Sequence, residues 1–319
     1  MGPFIGLLLV TLTILTGGCS SEEVGAAGAE AAAGSGGAGP AFGTVETFSD
    51  VGRDNEGLAF GLDANGSRAL YVGLRNAGEL VRLDPDGNST RVAQVPKPLG
   101  IALRADGALL VCGKVATGGA PGADGALWLV GVDGTTSVFL ESGAHSLDSP
   151  NFVAIAPDDR IVFTDSGADV VYVADADGGN LSVLSSEVPY PNGLAFSADG
   201  NTLWIASWRT DQLYESSRDP ATGSFTPPQP TRTVGDTVDG LVAASNGDLV
   251  LVTSRNGILR APLGDSVSTI APASNFSLAA NGAFGVGSFG ERWLYVTNLA
   301  GTTISRVRWD GTGVTLPVR

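Results

Sequence analysis

The stretch PNGLAFSADGNTLWIAS, residues 191–207, decides the fold of this chain. It contains two short apolar runs on either side of the polar pair Asp199-Gly200. An Asx-Gly pair between two apolar runs is a strong signal for a β-hairpin, because the type I′ turn needs residues that accept a positive φ. The stretch therefore predicts two antiparallel strands joined by a tight turn.

Two apolar runs around a polar turn recur five more times, at intervals of roughly 40–50 residues. The turn is Asp158-Asp159 in the third unit and spans residues 287–291 in the sixth. The other units begin at Asn55, Pro98, Pro150, Val238 and Ala280. Each unit continues into a third apolar run, such as ELVRLD from Glu79 or VVYVAD from Val170, and then into a weaker fourth. Four antiparallel strands repeated six times predict an all-β protein, a six-bladed β-propeller. We expect residues 44–48 and 315–318 to pair in one blade and close the ring, because closure removes exposed strand edges.

The composition limits the functions open to this chain. Its 319 residues carry 18 Lys+Arg against 33 Asp+Glu, a formal net charge of −15. A strongly acidic chain without a basic run does not neutralise phosphates, which excludes nucleic acid as the main partner. The single histidine, His145, excludes zinc sites that need two or three imidazoles. Two cysteines, Cys19 and Cys112, exclude a disulfide framework.

The beginning of the chain has the features of a bacterial lipoprotein. Residues 4–15 are mainly apolar, and Leu15-Thr16-Gly17-Gly18-Cys19 resembles a lipobox. We expect a signal peptide over residues 1–18, a lipid on Cys19, a flexible Ala- and Gly-rich tether over residues 19–42, and the propeller over residues 43–319. This predicts a monomer in the bacterial cell envelope, held at the membrane by its lipid alone. The alternative is plain secretion, with Cys19 either removed with the signal peptide or left unmodified.

The repeat brings several polar residues to one mouth of the central channel. The innermost strands open with Glu56, Leu99, Asn151, Asn192, Asp239 and Asn281. In units two to five this residue precedes the Asx turn by the same distance, which predicts equal heights around one axis. Carboxylates and amides converging there form an all-oxygen cage that suits calcium or another divalent cation. Taken singly, Asn192-Gly193, Asp239-Gly240 and Asn281-Gly282 also fit turns before a strand.

These motifs resemble the gluconolactonase/regucalcin (senescence marker protein) family of six-bladed propellers. The resemblance rests on Glu56-Gly57, Ser149-Pro150-Asn151, residues 191–196, Asp239-Gly240-Leu241 and residues 280–285. It implies a divalent metal, usually calcium, held by Glu56, Asn192 and Asp239, while Asn151 contacts metal or substrate. It also implies that Asp239 is the general base in lactone hydrolysis.

Two residues depart from the pattern of that family. Phe152 stands where an aspartate is common, which removes a carboxylate from behind the cage. Ser149 stands where regucalcin-type members carry an arginine that grips a sugar acid. The second departure argues against a strongly anionic sugar substrate.

The sequence therefore predicts a metal-dependent hydrolase of lactones or related esters, acting on a small molecule. A serine hydrolase would need His145 as its base, but no Gly-x-Ser-x-Gly motif accompanies it. We expect His145 to lie in a loop near the channel rim and Trp208 to line the substrate pocket, because aromatic side chains provide large contact surfaces. A non-enzymatic binding propeller with a structural metal is the alternative, because fold alone does not decide function.

Overall fold

The computed structural model describes residues 39–115 and 122–314 of the protein. These residues form six four-stranded antiparallel sheets arranged as the blades of a propeller, which confirms the predicted fold. Two short 3-10 segments, Ala273–Asn275 and Gly287–Phe289, interrupt the pattern. No helix in the described parts of the chain is long and apolar enough to cross a membrane. The predicted signal peptide, Cys19 and most of the tether lie outside the described residues.

The strands of each blade follow one another from the channel outward. Blade 6 is completed by the first strand of the chain, β1 (Val45–Asp50). Blades 1 to 3 consist of β2 (Asn55–Leu62), β3 (Arg68–Leu74), β4 (Glu79–Leu83) and β5 (Ser89–Gln94); β6 (Ile101–Leu103), β7 (Leu109–Lys114), β8 (Gly125–Val130) and β9 (Thr136–Glu141); and β10 (Pro150–Ile155), β11 (Ile161–Asp165), β12 (Val170–Ala174) and β13 (Ser182–Ser185).

Blades 4 to 6 repeat this arrangement. They consist of β14 (Pro191–Phe196), β15 (Thr202–Ser207), β16 (Gln212–Ser217) and β17 (Gln229–Thr233); β18 (Val238–Ala243), β19 (Leu249–Thr253), β20 (Gly257–Ala261) and β21 (Ser268–Ala271); and β22 (Ala279–Phe284), β23 (Trp293–Asn298) and β24 (Thr303–Arg308) with β1.

The ring is closed by pairing the beginning of the propeller with its end. Strand β1 runs antiparallel to β24, with Val45 opposite Val307 and Asp50 opposite Thr303. The predicted closing segment at residues 44–48 thus lies in the last blade. Its predicted partner, residues 315–318, lies outside the described residues. Pairing β1 with β24 covers an edge that would otherwise expose unpaired backbone groups.

The hydrophobic core lies between neighbouring blades. Leu80 and Val95 of blade 1, for example, pack in one cluster with Val111 and Ala126 of blade 2, and all four side chains are fully buried. Burial of a Val or Leu side chain contributes roughly 1.5–3 kcal/mol. Because every blade packs on two others, the inner strands are held at a fixed distance from the axis.

The first hairpin of blade 1 differs in turn type from the sequence prediction. Gly66 has φ +76°, and its N–H bonds to the Asp63 carbonyl, while Asn65 has no positive φ. This is a type I turn followed by a left-handed glycine, not a type I′ turn. The Asp63 carboxylate stabilises it by accepting the N–H groups of Asn65 and Ser67, both at 2.9 Å.

Candidate metal centre

The inner strands begin at one face of the disc, here called the mouth, and five of the six place one residue in a β-bulge there. In blades 1, 3, 4, 5 and 6 the register with the second strand shifts directly after the start of the inner strand. The bulged positions are Glu56, Asn151, Asn192, Asp239 and Ala280, and Leu99 is the equivalent position in blade 2. A bulge re-aims a side chain, so four polar side chains occupy one height around the axis.

The register excludes Asn281 from this set. Ala279 pairs with Asn298 as Pro150 pairs with Asp165, so Ala280 is equivalent to Asn151 and Asn281 lies one residue deeper. The Asn281 side chain instead accepts the N–H of Gly282 at 2.8 Å. The predicted third amide of the cage is therefore wrong.

The glycines that follow the bulged residues are strand glycines, which rules out the turn interpretation. Gly57, Gly193 and Gly240 have no positive φ. A Cβ on Gly57 would lie 1.7 Å from the Leu99 carbonyl oxygen, and one on Gly193 would lie 2.7 Å from the Asp239 carbonyl oxygen. Neighbouring inner strands approach so closely at the mouth that only glycine fits at these positions.

Glu56 is the more deeply buried of the two carboxyls in the cage. It is 5% exposed, and its Oε2 atom has no hydrogen-bond partner in the described structure. Its backbone carbonyl accepts the Thr297 hydroxyl at 2.6 Å. The backbone is thus fixed while the carboxylate is left without a donor, an arrangement that is costly for a buried charge.

Asn192 repeats this arrangement on blade 4. The side chain is 3% exposed, and its Oδ1 atom is buried without a partner in the described structure. Its backbone carbonyl accepts the Thr164 hydroxyl at 3.0 Å, and that hydroxyl accepts the Phe152 N–H at 3.0 Å. Two oxygens at equivalent positions are therefore buried and unpaired.

Burial raises the pKa of both carboxyls in the cage. Desolvation is the main cause for Glu56, whose pKa lies well above its usual value, and the charge of Asp239 adds to the rise. Desolvation also raises the pKa of Asp239 to about 7, opposed by the Asn192 amide and by the charge of Arg75. Two carboxylates in one low-dielectric site resist double ionisation. A divalent cation is the ligand that would stabilise both as anions.

The donor set fits a hard cation. Two carboxylates and two amide oxygens are the ligands that calcium and magnesium prefer. No group of three or more His, Cys, Asp or Glu side chains suited to a metal occurs in the described part of the chain. The cage differs from such clusters because half of its side chains are amides.

Asp239 and Asn151 form the open side of the cage. Both keep part of their surface accessible, unlike Glu56 and Asn192. On the other side of the cage the channel contains a cavity of about 420 Å³, lined by Leu58, Phe152 and Leu241 among others. The substitution at Phe152 thus makes the floor of the site apolar.

His145 is not part of this cluster. Its ring lies edge-on to Tyr172, with centroids 5.5 Å apart, and Tyr172 is in β12, the third strand out from the channel. The backbone carbonyl of His145 accepts the N–H of Gly143 at 3.0 Å. These contacts place His145 on an outer loop instead of at the channel rim.

Trp208 lies on the mouth beside the strand that carries Asn192. The backbone N–H of Trp208 donates to the Tyr190 carbonyl at 3.1 Å, and the centroids of the two aromatic rings are 5.4 Å apart. Tyr190 has φ +47° and directly precedes Pro191 and Asn192. Trp208 is 42% exposed. The mouth therefore has an aromatic wall next to blade 4.

Sequence reasoning missed three residues of this site. Thr164 and Thr297 hold the backbone of the next blade's candidate ligand, and Arg75 acts on both carboxyls from a loop. The threonines do carry a signal, because each is followed by Asp or Asn at the end of the second strand. At the position equivalent to Arg75, blade 2 carries another cation, Lys114, and the N–H groups of both residues bond to the carbonyl of the loop before the inner strand.

Comparison with known proteins identifies the family. Residues 63–300 match the SMP-30/gluconolactonase/LRE-like region, so the chain belongs to this family. The match includes Asn151, Asn192 and Asp239, and Glu56 lies just before it. None of the curated proteins matches the sequence significantly.

Solved structures share the fold at low sequence identity. A gluconolactonase from Xanthomonas campestris is 20% identical with a TM-score of 0.68, covering 83% of this chain and 89% of its own. A putative gluconolactonase is 21% identical with a TM-score of 0.68, covering 85% and 93%. A calcium-binding protein, regucalcin, from Agrobacterium tumefaciens is 16% identical with a TM-score of 0.61, covering 84% and 96%.

Proposed function

We propose that this protein is a metal-dependent lactonase with calcium, or a similar divalent cation, held by Glu56, Asn192, Asp239 and Asn151. The observation that carries the proposal is the pair of buried, unpaired oxygens, Glu56 Oε2 and Asn192 Oδ1, in a chain of the gluconolactonase family. An unsatisfied buried acceptor costs roughly 1–3 kcal/mol, and more when it is charged. A bound cation removes this cost for both atoms at once.

The buried residues of the cage, Glu56 and Asn192, and its partly exposed residues, Asp239 and Asn151, have different roles in the proposed reaction. When bound, the cation supplies a Lewis acid that polarises the carbonyl of a lactone or ester. Asp239 is the cage carboxylate that keeps part of its surface accessible, so we assign it the proton of the attacking water. Glu56 is too deeply buried to reach the substrate, and its role is to bind the cation and balance part of the cation's charge.

The remaining mouth residues position the substrate. Asn151 is partly exposed at the height of Asp239, and its amide is available to hydrogen-bond a substrate oxygen. Trp208 and Tyr190 provide aromatic contact area beside Asn192, with their ring planes inclined at 46°. His145 has no part in this arrangement, since its ring packs against Tyr172.

The test is hydrolysis of neutral lactones and aryl esters by the purified full-length protein, with chelator and with added calcium. We expect chelation to abolish turnover and calcium to restore it. Glu56→Gln should lower calcium affinity at least tenfold, whereas Glu141→Gln, which alters an exposed glutamate, should not. A wild type without metal-dependent hydrolysis of any compound would overturn the proposal and favour a binding propeller.

We also propose that Cys19 carries a lipid that anchors the propeller in the cell envelope. The support is the lipobox-like run that ends at Cys19 and the Ala- and Gly-rich segment that follows it. The mouth would then be free to meet small molecules outside the cytoplasm.

A further inference from the structure

Arg75 is a cation at the rim of the mouth, next to the strand that carries Glu56. It follows β3 directly, and the last residue of that strand, Leu74, pairs with Asn55. The Arg75 N–H bonds to the Asp54 carbonyl at 2.9 Å. The backbone of Arg75 is therefore fixed close to Glu56 on the neighbouring strand, while its side chain is exposed.

Arg75 differs from the other cations at the same place in the blades. The loops between second and third strands at the mouth also contain Lys114, at the end of β7, and Arg209 and Arg255. Each of these three has a carboxylate partner: Asp124 at 2.7 Å, Asp169 at 2.9 Å and Asp236 at 3.3 Å, respectively. Arg75 has neither an ion pair nor a side-chain hydrogen bond within residues 39–115 and 122–314.

The charge of Arg75 reaches both carboxylates of the cage. It lowers the pKa of Glu56 on blade 1 and that of Asp239 on blade 5, against the larger effect of burial. This effect agrees with the position of the Arg75 backbone at the rim.

We propose that Arg75 binds a carboxylate of the substrate, so that this propeller prefers lactones that carry a negative charge. The inference rests on the proposed function. A divalent cation would balance Glu56 and Asp239, which leaves Arg75 as an unpaired positive charge beside the strand that carries Glu56. A guanidinium matches the geometry of a carboxylate with two parallel hydrogen bonds.

This inference reverses the expectation drawn from Ser149. The sequence argued against an anionic sugar because the arginine of regucalcin-type members is missing at that position on blade 3. Arg75 supplies a cation to the same mouth from blade 1. The substrate carboxylate would then point towards blade 1, opposite the aromatic wall of Trp208 on blade 4.

The test compares two lactones that differ only in one group. D-glucono-1,4-lactone and D-glucaro-1,4-lactone share ring and skeleton, but the first ends in a hydroxymethyl group and the second in a carboxylate. For the full-length protein with saturating calcium we expect the higher kcat/KM for the glucarolactone. Arg75→Gln should lower that value about 10- to 100-fold, the range of a charge-assisted hydrogen bond, and change the gluconolactone value less than about threefold.

Two further variants make the result specific. Arg75→Lys keeps the charge and should restore part of the preference. Arg292→Gln removes an exposed arginine at the opposite face, where β23 begins, and should behave as the wild type. A wild type without preference, or an equal loss on both lactones in Arg75→Gln, overturns the inference.

A binding measurement separates this inference from the proposed function. Calorimetric titration with D-glucarate and with D-gluconate needs no turnover. If neither lactone is hydrolysed, the lactonase proposal fails, but glucarate binding that is lost in Arg75→Gln and kept in Arg292→Gln still supports a carboxylate site at Arg75. No binding of glucarate by the wild type overturns the carboxylate site.

Discussion

Thr297 in the sixth blade donates its hydroxyl to the backbone carbonyl of Glu56 in the first blade, at 2.6 Å. The same hydroxyl accepts the N–H of Asn281 at 2.9 Å. One fully buried side chain therefore joins the last inner strand to the first and fixes the segment that carries a candidate ligand. Thr164 makes the equivalent connection to Asn192 between blades 3 and 4.

Thr297→Val should weaken both the ring and the metal site. The change keeps the shape but leaves the Asn281 N–H and the Glu56 carbonyl without this partner, at a cost of about 1–3 kcal/mol. We expect a lower free energy of unfolding in urea and a calcium affinity reduced severalfold. Ser216→Ala removes another buried hydroxyl, which donates to the Thr226 carbonyl in blade 4, and should cost stability alone. Equal loss of calcium affinity in both variants would contradict a positioning role.

The register of the site was predictable where the repeat contained an Asx turn to count from. Asn151, Asn192 and Asp239 all precede such a turn by the same distance, and the structure places them in equivalent bulges. The sixth unit has no such turn, because a 3-10 segment at Gly287–Phe289 replaces it. The prediction for the sixth unit was therefore wrong by one residue: it named Asn281, whereas Ala280 occupies the equivalent position.

Contacts that depend on loops were not predictable from the repeat. Arg75 acts on Asp239 across a whole blade, and no spacing in the sequence connects the two. His145 precedes Asn151 closely in sequence, yet its ring packs on β12 because Tyr172 offers an aromatic partner there. Gly57, Gly193 and Gly240 could be assigned to turns or to strands from the sequence. The backbone that requires a glycine at these positions belongs to the neighbouring blade, so the repeat alone does not reveal it.

Calcium should stabilise the protein more at pH 8 than at pH 5. The pKa values of Glu56 and Asp239 are raised in the folded protein without metal, that of Asp239 to about 7. A raised carboxyl pKa contributes stability that is present below the unfolded pKa and is lost as the pH rises through the folded one. The protein in chelator should therefore lose stability between about pH 4 and pH 7.

The measurement is thermal unfolding with chelator and with calcium at both pH values. At a hundredfold excess over Kd, calcium adds about 2.7 kcal/mol, a shift in Tm on the order of 5 °C. At pH 5 protons compete for the carboxyls and the shift should be smaller. Asp239→Asn should reduce the pH dependence of the Tm measured in chelator. If calcium does not raise the Tm, or raises it equally at the two pH values, Glu56 and Asp239 do not form the proposed calcium site.

Gly57→Ala should prevent normal assembly of blades 1 and 2. Its Cβ would lie 1.7 Å from the Leu99 carbonyl oxygen, so the inner strands would have to separate. Overpacking of this kind costs about 1–3 kcal/mol, and backbone clashes cost more. Gly143→Ala is the control, because its Cβ would lie 4.0 Å from the nearest atom, the Glu141 carbonyl oxygen, and its φ is not positive. Urea unfolding that is unchanged in Gly57→Ala would contradict the close strand approach.

Cys19→Ala should release the protein from the membrane. The lipid on a cysteine after an export signal is its attachment point, and without it no other anchor is expected. Membrane fractionation and intact-mass spectrometry of the wild type and the variant would show the difference. Cys112→Ala is the control, because Cys112 is a buried free thiol inside blade 2 and should leave fractionation unchanged. An unmodified Cys19 in the wild type would disprove the anchor.

Asp239→Asn and Asn192→Ala should fail in different ways. The first keeps an oxygen ligand and the size of the side chain but removes the charge and the base, so kcat should fall roughly a hundredfold or more even at saturating calcium. The second removes the buried oxygen assigned to the cation and the amide that hydrogen-bonds Asp239, but it leaves the base in place, so excess calcium should restore much of its rate. Lactone hydrolysis measured across a calcium titration separates the two effects. Rescue of Asp239→Asn by calcium would show that Asp239 is a ligand without a role as base, and would assign the proton of the attacking water to another group at the mouth.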